Sequence, residues 1–171
     1  ILNVKITLES FASQKGITKE ELERRLEASR KLLLNRRDTR TKPLLDDKIL
    51  LSWNALLVTA CCKIYAALGN DNYKKMAVRC MDFIWQHLQK DGIFYHTYKN
   101  GAARHPAFLD DYAYLIQSCI NLQEITSNSN YLVRAKQLAV HVLGNFTEDG
   151  TDFFFFTSKA QTDVIVRKKE V

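Results

Sequence analysis

Shifted by 58 residues, the sequence lies on itself without a gap. Tyr73 falls on Tyr131, Leu51 on Leu109, Ala55 on Ala113, Leu57 on Leu115 and Cys61 on Cys119. Asn70 and Asn72 fall on Asn128 and Asn130, Ala77 on Ala135, and Asp91-Gly92 on Asp149-Gly150. Mismatched columns keep their apolar character, as Ile64 does with Leu122 and Ile84 with Val142. One register thus aligns core positions, loop asparagines and turn pairs together, which marks a repeat architecture. A unit of this size cannot bury its apolar faces alone and must stack on neighbours, either in an open superhelix or in a closed ring. A period of 58 exceeds the common open helical repeats, which reach about 47, and favours the ring.

Each repeat reads as helix, helix, turn, extended piece. From Ile49 the apolar residues Leu50, Leu51, Trp53, Leu56, Leu57, Ala60 and Ile64 fit a buried helix ending at Gly69, a natural C-terminal cap. Asp71 can cap the next helix, expected to reach about Lys90. Asp91-Gly92 makes a turn, and residues 93–98 with Asn100-Gly101 predict a short hairpin. A third helix is expected over 109–126 and a fourth over 130–146, followed by a turn at Asp149-Gly150 and an extended piece over 153–156. Phe153 to Phe156 reads as a buried extended segment and as a β-prone run. Before the repeats, Thr18 and Glu21 have capping-box spacing, and Leu22, Leu26 and residues 32–34 give a partial apolar stripe. The stripe decays over 35–42, and Pro43 breaks it. The fold class is therefore all-α: (α/α) helical-hairpin repeats, part of an (α/α)6 toroid, with short β-hairpin loops. Residues 1–43 form a helix and linker, and residues 44–171 about two hairpins.

The net charge of +6 gathers in residues 19–48, with Arg24, Arg25, Arg30, Lys31, Arg36, Arg37, Arg40 and Lys42. Without interleaved aromatics or a reader fold, this is a solvated helix face and not a nucleic-acid surface. No apolar run approaches the roughly 20 residues of a membrane span, and residues 1–9 lack the order of a secretory signal. Both ends read as cuts in a longer chain. The four cysteines include an adjacent pair, Cys61-Cys62, while Cys80 and Cys119 sit in apolar helical patterns. Buried free thiols in a reducing cytoplasm are the expectation. No Cys-x-x-Cys occurs and the four histidines lack ligand spacing, so no metal and no cofactor is expected.

Two segments carry a resemblance. One is Arg40 to Asn54, Arg-Thr-Lys-Pro-Leu-Leu-Asp-Asp-Lys-Ile-Leu-Leu-Ser-Trp-Asn; the other is Arg104-His-Pro-Ala-Phe-Leu-Asp-Asp-Tyr-Ala113. With the tail from Phe155 to Glu170, they resemble the thioredoxin-domain-containing family that includes spermatogenesis-associated protein 20. The resemblance runs from about Thr18 to the end. It implies an N-terminal thioredoxin-like domain, absent from this sequence. That domain would precede a helical region similar to six-hairpin glycosidases and N-acylglucosamine 2-epimerases. This chain would hold early hairpins of that toroid.

Asp46-Asp47-Lys48 lies just before one helix and Asp110-Asp111-Tyr112 at the start of another. Capping of free amides and complementing the helix dipole explains carboxylates there. Their company also fits a sugar pocket, which needs aromatic faces for ring C–H surfaces, planar polar groups for hydroxyls and carboxylates for proton transfer. Asp47, His105 and Asp111 are the candidate catalytic groups. Arg40, Asp46, Trp53, Asn54, Arg104, Asp110 and Tyr112 are the candidate substrate contacts. His105 is either a proton carrier or a plain loop histidine beside Pro106. Trp53 is either core or pocket wall, and Lys48 can simply pair with Asp46 or Asp47. The expected function is sugar epimerisation, isomerisation or hydrolysis. The alternative is a non-catalytic scaffold partnered with the thioredoxin-like domain. Asp111→Asn is expected to cost no more than about 1 kcal/mol, the scale of a lost cap. Two hairpins alone should expose apolar faces and associate with themselves.

Overall fold

A computed structural model describes residues 4–148, 150–162, 166–167 and 169–170. The turn expected at Asp149, and Asp163, Val164, Ile165 and Lys168 of the tail motif, lie outside the described residues. The chain divides into two compact units, one up to Asp46 and one from Asp47 onward.

The first unit holds α1 (Leu8–Gln14), which the sequence reading did not anticipate, and α2 (Lys19–Asp38). The hydroxyls of Thr7 and Thr18 cap them, accepting the Ser10 and Glu21 amides. The Glu21 carboxylate turns to Arg24 and Arg25 and forms ion pairs along the helix. The apolar stripe of α2 is largely open: Leu22 is buried, while Leu26, Leu32 and Leu33 are exposed. The helix runs four residues into the stretch expected to decay, because Glu27–Arg30 and similar pairs at helical spacing sustain it.

The second unit begins with β1 (Ile49–Leu50) and continues into α3 (Leu51–Leu68), α4 (Asp71–His87), β2 (Gln89–Lys90), β3 (Ile93–Lys99) and β4 (Ala102–Pro106). It then repeats with α5 (Leu109–Thr126), α6 (Asn130–Asn145) and β5 (Phe154–Phe155), and a last strand β6 (Lys169–Glu170) pairs β5. The 58-residue register reappears in the caps. Gly69 and Ser127 both end their helices in the left-handed region, at φ 66° and 57°. Asn70 and Asn128 each accept the amide two residues on, at 3.0 and 3.1 Å. Asn70, not Asp71, therefore caps α4, because its side chain lies outside the helix where it can turn back on the free amides. Helix α4 stops at His87 instead of Lys90, since Gln89 and Lys90 leave it to pair with Phe94 and Ile93.

Helices α3 and α5 pack side by side and start at the same end, where Ser52 and Asp111 meet. Their neighbours α4 and α6 fold back along them. The core falls at helical spacing: Leu51, Ala55, Val58 and Cys62 on α3, Tyr112, Leu115, Cys119 and Leu122 on α5, Met81 and Ile84 on α4, Leu138 and Val142 on α6. Each buried Leu or Ile contributes about 2 kcal/mol by leaving water. Helix α3 is long and apolar enough to cross a membrane by length and composition; packing against α4 and α5 buries about a third of it, and Trp53, Leu56, Leu57 and Leu68 stay exposed. The hairpin β3–β4 lies across the start of α3, where β1 pairs with β3. The piece after α6 does the same for α5: the Leu109 amide donates to the Phe156 carbonyl at 3.0 Å. Phe153, expected to be buried, is exposed, while Phe154, Phe155 and Phe156 are half-buried.

Candidate active site at the helix starts

Helix α3 has no cap of its own. Leu50 precedes it and offers no acceptor side chain. Its first-turn amide at Ser52 donates instead to Oδ1 of Asp111, 59 residues away, at 3.0 Å. The other carboxylate oxygen, Oδ2, accepts the Phe108 amide at 3.0 Å and contacts Nδ1 of His96 at 2.8 Å. Asp111 is wholly buried, and one carboxylate thus joins the starts of α3 and α5 to strand β3. Two helix N-termini and a histidine surround it, the setting that favours a buried negative charge.

His96 keeps 26 % of its side chain exposed. With Nδ1–H donating to Asp111, the Nε2 lone pair is free to accept a proton. Its ring lies 5.0 Å from that of Phe108, which stacks on Phe156 at 4.8 Å. Asp110 stands beside this pair with its side chain exposed. Desolvation and then the Asp111 charge push its carboxyl upward, against the Asp111 amide that donates to it at 2.9 Å. A carboxyl so placed keeps its proton to higher pH than an ordinary aspartate.

The other sequence candidates scatter around this centre. Arg104 and His105 stand on β4 and line a pocket of about 220 Å³ with Lys48, Thr97, Lys99 and Asn100. His105 holds a positive φ of 59°, a conformation uncommon for residues other than glycine. Asp47 pairs with Lys99, which holds its carboxyl below the usual range, so it ties the segment before β1 to the hairpin and does not join Asp111. Trp53 is 71 % exposed and therefore not core. It borders a shallow pocket with Lys48, Asn54, Cys80 and Phe83. The Asn54 carboxamide is engaged internally, donating to the Leu50 carbonyl at 2.8 Å. Tyr112, expected as a pocket wall, belongs to the core. Its ring stacks on His141 at 4.9 Å, its hydroxyl accepts the Phe94 amide at 3.3 Å, and burial pushes its phenol upward. The helical turn carries Tyr112 to the side opposite Asp110, which explains why neighbours in sequence part company. Arg40 and Asp46 lie in the first unit.

The candidate residues of the second unit therefore do not share one pocket: Asp111 joins the helix starts, Asp47 and His105 lie on the hairpin side, Trp53 and Asn54 border a separate pocket, and Tyr112 belongs to the core. His96 was missed, because a lone histidine in a hairpin strand has no spacing partner; its one signal is its place in the hairpin leading to Asp110-Asp111. Among the described residues no group of three or more His, Cys, Asp or Glu side chains gathers as a metal site.

The comparisons with known proteins bear on this arrangement. No family model matches the sequence. An uncharacterized protein of Caenorhabditis elegans is 30 % identical over 99 % of this chain, which covers 24 % of that protein. Human spermatogenesis-associated protein 20 is 29 % identical over 81 % of this chain, which covers 19 % of it. Spermatogenesis-associated protein 20 is a homologue of this chain. The chain thus spans about a fifth to a quarter of the length of these relatives. Among solved structures, cellobiose 2-epimerase of Bacillus thermoamylovorans superposes with a TM-score of 0.59 at 11 % identity, over 64 % of this chain and 32 % of its own. An α-mannanase of Bacteroides thetaiotaomicron superposes at 0.61 with 17 % identity, over 68 % of this chain and 33 % of its own. These neighbours establish the fold: the second unit is part of an (α/α)6 toroid.

Proposed function

We propose that this protein acts on a carbohydrate, by epimerisation or isomerisation or else by hydrolysis, at the face where α3 and α5 begin. The observation that carries the reading is the His96–Asp111 pair at 2.8 Å, with a buried carboxylate fixing the imidazole and part of the ring left open. Epimerisation or isomerisation needs a base that takes a proton from carbon beside a carbonyl and returns it, and an oriented neutral imidazole does this near neutral pH. Asp110 is the companion carboxyl, pushed above the ordinary aspartate range by desolvation and by the Asp111 charge. Lys48, Arg104 and His105 supply hydroxyl-binding donors on the hairpin side. A cellobiose 2-epimerase and an α-mannanase of the same fold support the substrate class. Free buried cysteines fit a reducing, cytoplasmic setting.

The test is proton exchange. The full-length protein is incubated in D2O with a panel of reducing mono- and disaccharides, and deuterium at C2 is followed by NMR. His96→Gln should abolish exchange without loss of folding. A panel that exchanges no deuterium and releases no sugar from its disaccharides, or a His96→Gln protein that turns sugar over as the parent does, removes the reading.

A second reading rests on the same carboxylate. Both Asp111 oxygens are occupied by Ser52, Phe108 and His96, as a purely architectural joint would require. The protein is then a helical scaffold for a thioredoxin-like domain elsewhere in the full-length protein. Under that reading His96→Gln lowers the melting temperature and no sugar is turned over.

A further inference from the structure

We propose that the groove between α4 and α6 is a separate binding site for the oxyanion group of a small, hydroxyl-bearing metabolite. The groove encloses about 430 Å³, within the range of small-molecule sites. Its polar wall is Arg134, Gln137, Gln89 and His141, and Trp85 and Phe94 form its apolar side. No carboxylate lines it.

Arg134 decides the ligand. Its guanidinium lies 4.8 Å from the centre of the Trp85 ring and 5.9 Å from that of Tyr131. Trp85 is itself braced by Phe94, at 4.6 Å between rings. A guanidinium held over an aromatic ring is restrained there and keeps N–H donors for an anion, so less conformational freedom is lost when one docks. Among the described residues Arg134 makes no ion pair. Burial and then the charge of Asp82, one turn before Trp85, raise the Tyr131 phenol, and among the described residues Asp82 does not bridge to Arg134. The carboxamides of Gln89 and Gln137 make no hydrogen bond among the described residues. A fixed cation with an open donor edge fits a carboxylate or phosphate, and two free carboxamides beside it fit hydroxyls. Burial lowers the pKa of His141, whose ring rests on Tyr112, so the fourth polar group is a neutral imidazole. The site shares no residue with the His96–Asp111 pair, and its occupancy is read by binding, independently of turnover.

Calorimetric titration of the full-length protein with glucose 6-phosphate, gluconate and neutral glucose tests this. At least one anion should bind saturably, and the tighter of the two identifies the oxyanion as phosphate or carboxylate. Glucose should bind at least about tenfold more weakly, the value of one charge-assisted hydrogen bond. Arg134→Gln should weaken the preferred anion by about tenfold or more. Gln137→Glu, an exposed change that puts a carboxylate one turn from Arg134 and leaves the arginine in place, should weaken it similarly. No saturable binding of either anion overturns the proposal. So does glucose binding as tightly as the anions, or both variants binding as the parent does.

Discussion

With both oxygens engaged, the Asp111 carboxylate has no position at which an amide nitrogen would be welcome. Asp111→Asn would face its new N–H2 toward the Ser52 amide or toward Phe108 and His96, setting donor against donor in a buried site. The expected cost is about 3 kcal/mol, the combined scale of a lost charge-assisted bond and an unsatisfied buried donor. Urea denaturation of variant and parent measures it. A cost under about 1 kcal/mol would return Asp111 to the role of an ordinary local cap, as sequence reasoning had it. The larger figure was not legible, because the partners Ser52 and His96 stand 59 and 15 residues away and no local pattern joins them. His141 yields a second prediction at this scale. Burial depresses its pKa below the ordinary 6.5, so in mild acid the unfolded chain binds a proton that the folded one refuses. The unfolded state then holds more protons, and stability must fall as pH drops below 6.5 toward the folded pKa. His141→Phe keeps an aromatic ring over Tyr112 and removes that loss. Its melting temperature should fall less than the parent's between about pH 7 and pH 5.

Repetition at the level of elements is what made the fold readable. Helices Leu51–Leu68 and Leu109–Thr126 begin and end at equivalent positions, and the asparagines that follow them, each accepting the amide two residues on, repeat as well. Helix starts at Thr18 and stops at Gly69 rest on single residues with strong local preferences, so sequence alone locates them. Helix α1 and the early end of α4 were not legible. One is only seven residues long, and the other ends because Gln89 and Lys90 pair with a strand that follows them. The repeat also sets up a controlled comparison at the C-caps. Gly69 and Ser127 share a left-handed backbone and the same hydrogen bond, 2.8 Å to the carbonyl four residues back. Only glycine adopts that conformation without a Cβ clash. Ser127→Gly should therefore stabilise the protein by about 0.5–1 kcal/mol, and Gly69→Ala should destabilise it by about 1 kcal/mol. Open space around the Cβ position at Gly69 means that backbone conformation alone produces the loss. Thermal denaturation of the two single variants measures both signs.

The whole molecule poses a problem of uncovered surface. A toroid closes because every hairpin has neighbours on both sides, and the chain matches only about a third of each solved toroid it superposes on, 32 and 33 %. On α6 the side chains of Leu132, Val133, Val140 and Leu143 are exposed. They recur at spacings of seven, eight and eleven residues and so form one stripe along the helix. At the other flank Trp53, Leu56 and Leu57 of α3 are exposed. Apolar surface of this kind in one contiguous patch is unusual on a stable monomer. The stripe on α6 and the flank of α3 are different surfaces, so contact between them is head-to-tail and need not close at two copies. The 171-residue chain produced alone should therefore self-associate with rising concentration, into a distribution of sizes and not a single dimer. Sedimentation velocity across a concentration series measures this. Val133→Glu with Val140→Lys places opposite charges two turns apart on the stripe, on positions already exposed. This double variant should shift the distribution toward monomer while leaving the helical circular dichroism signal in place. A parent chain that sediments as one monomer at all concentrations would mean that the stripe is too weakly apolar to drive association, and the expectation of self-association would fall with it.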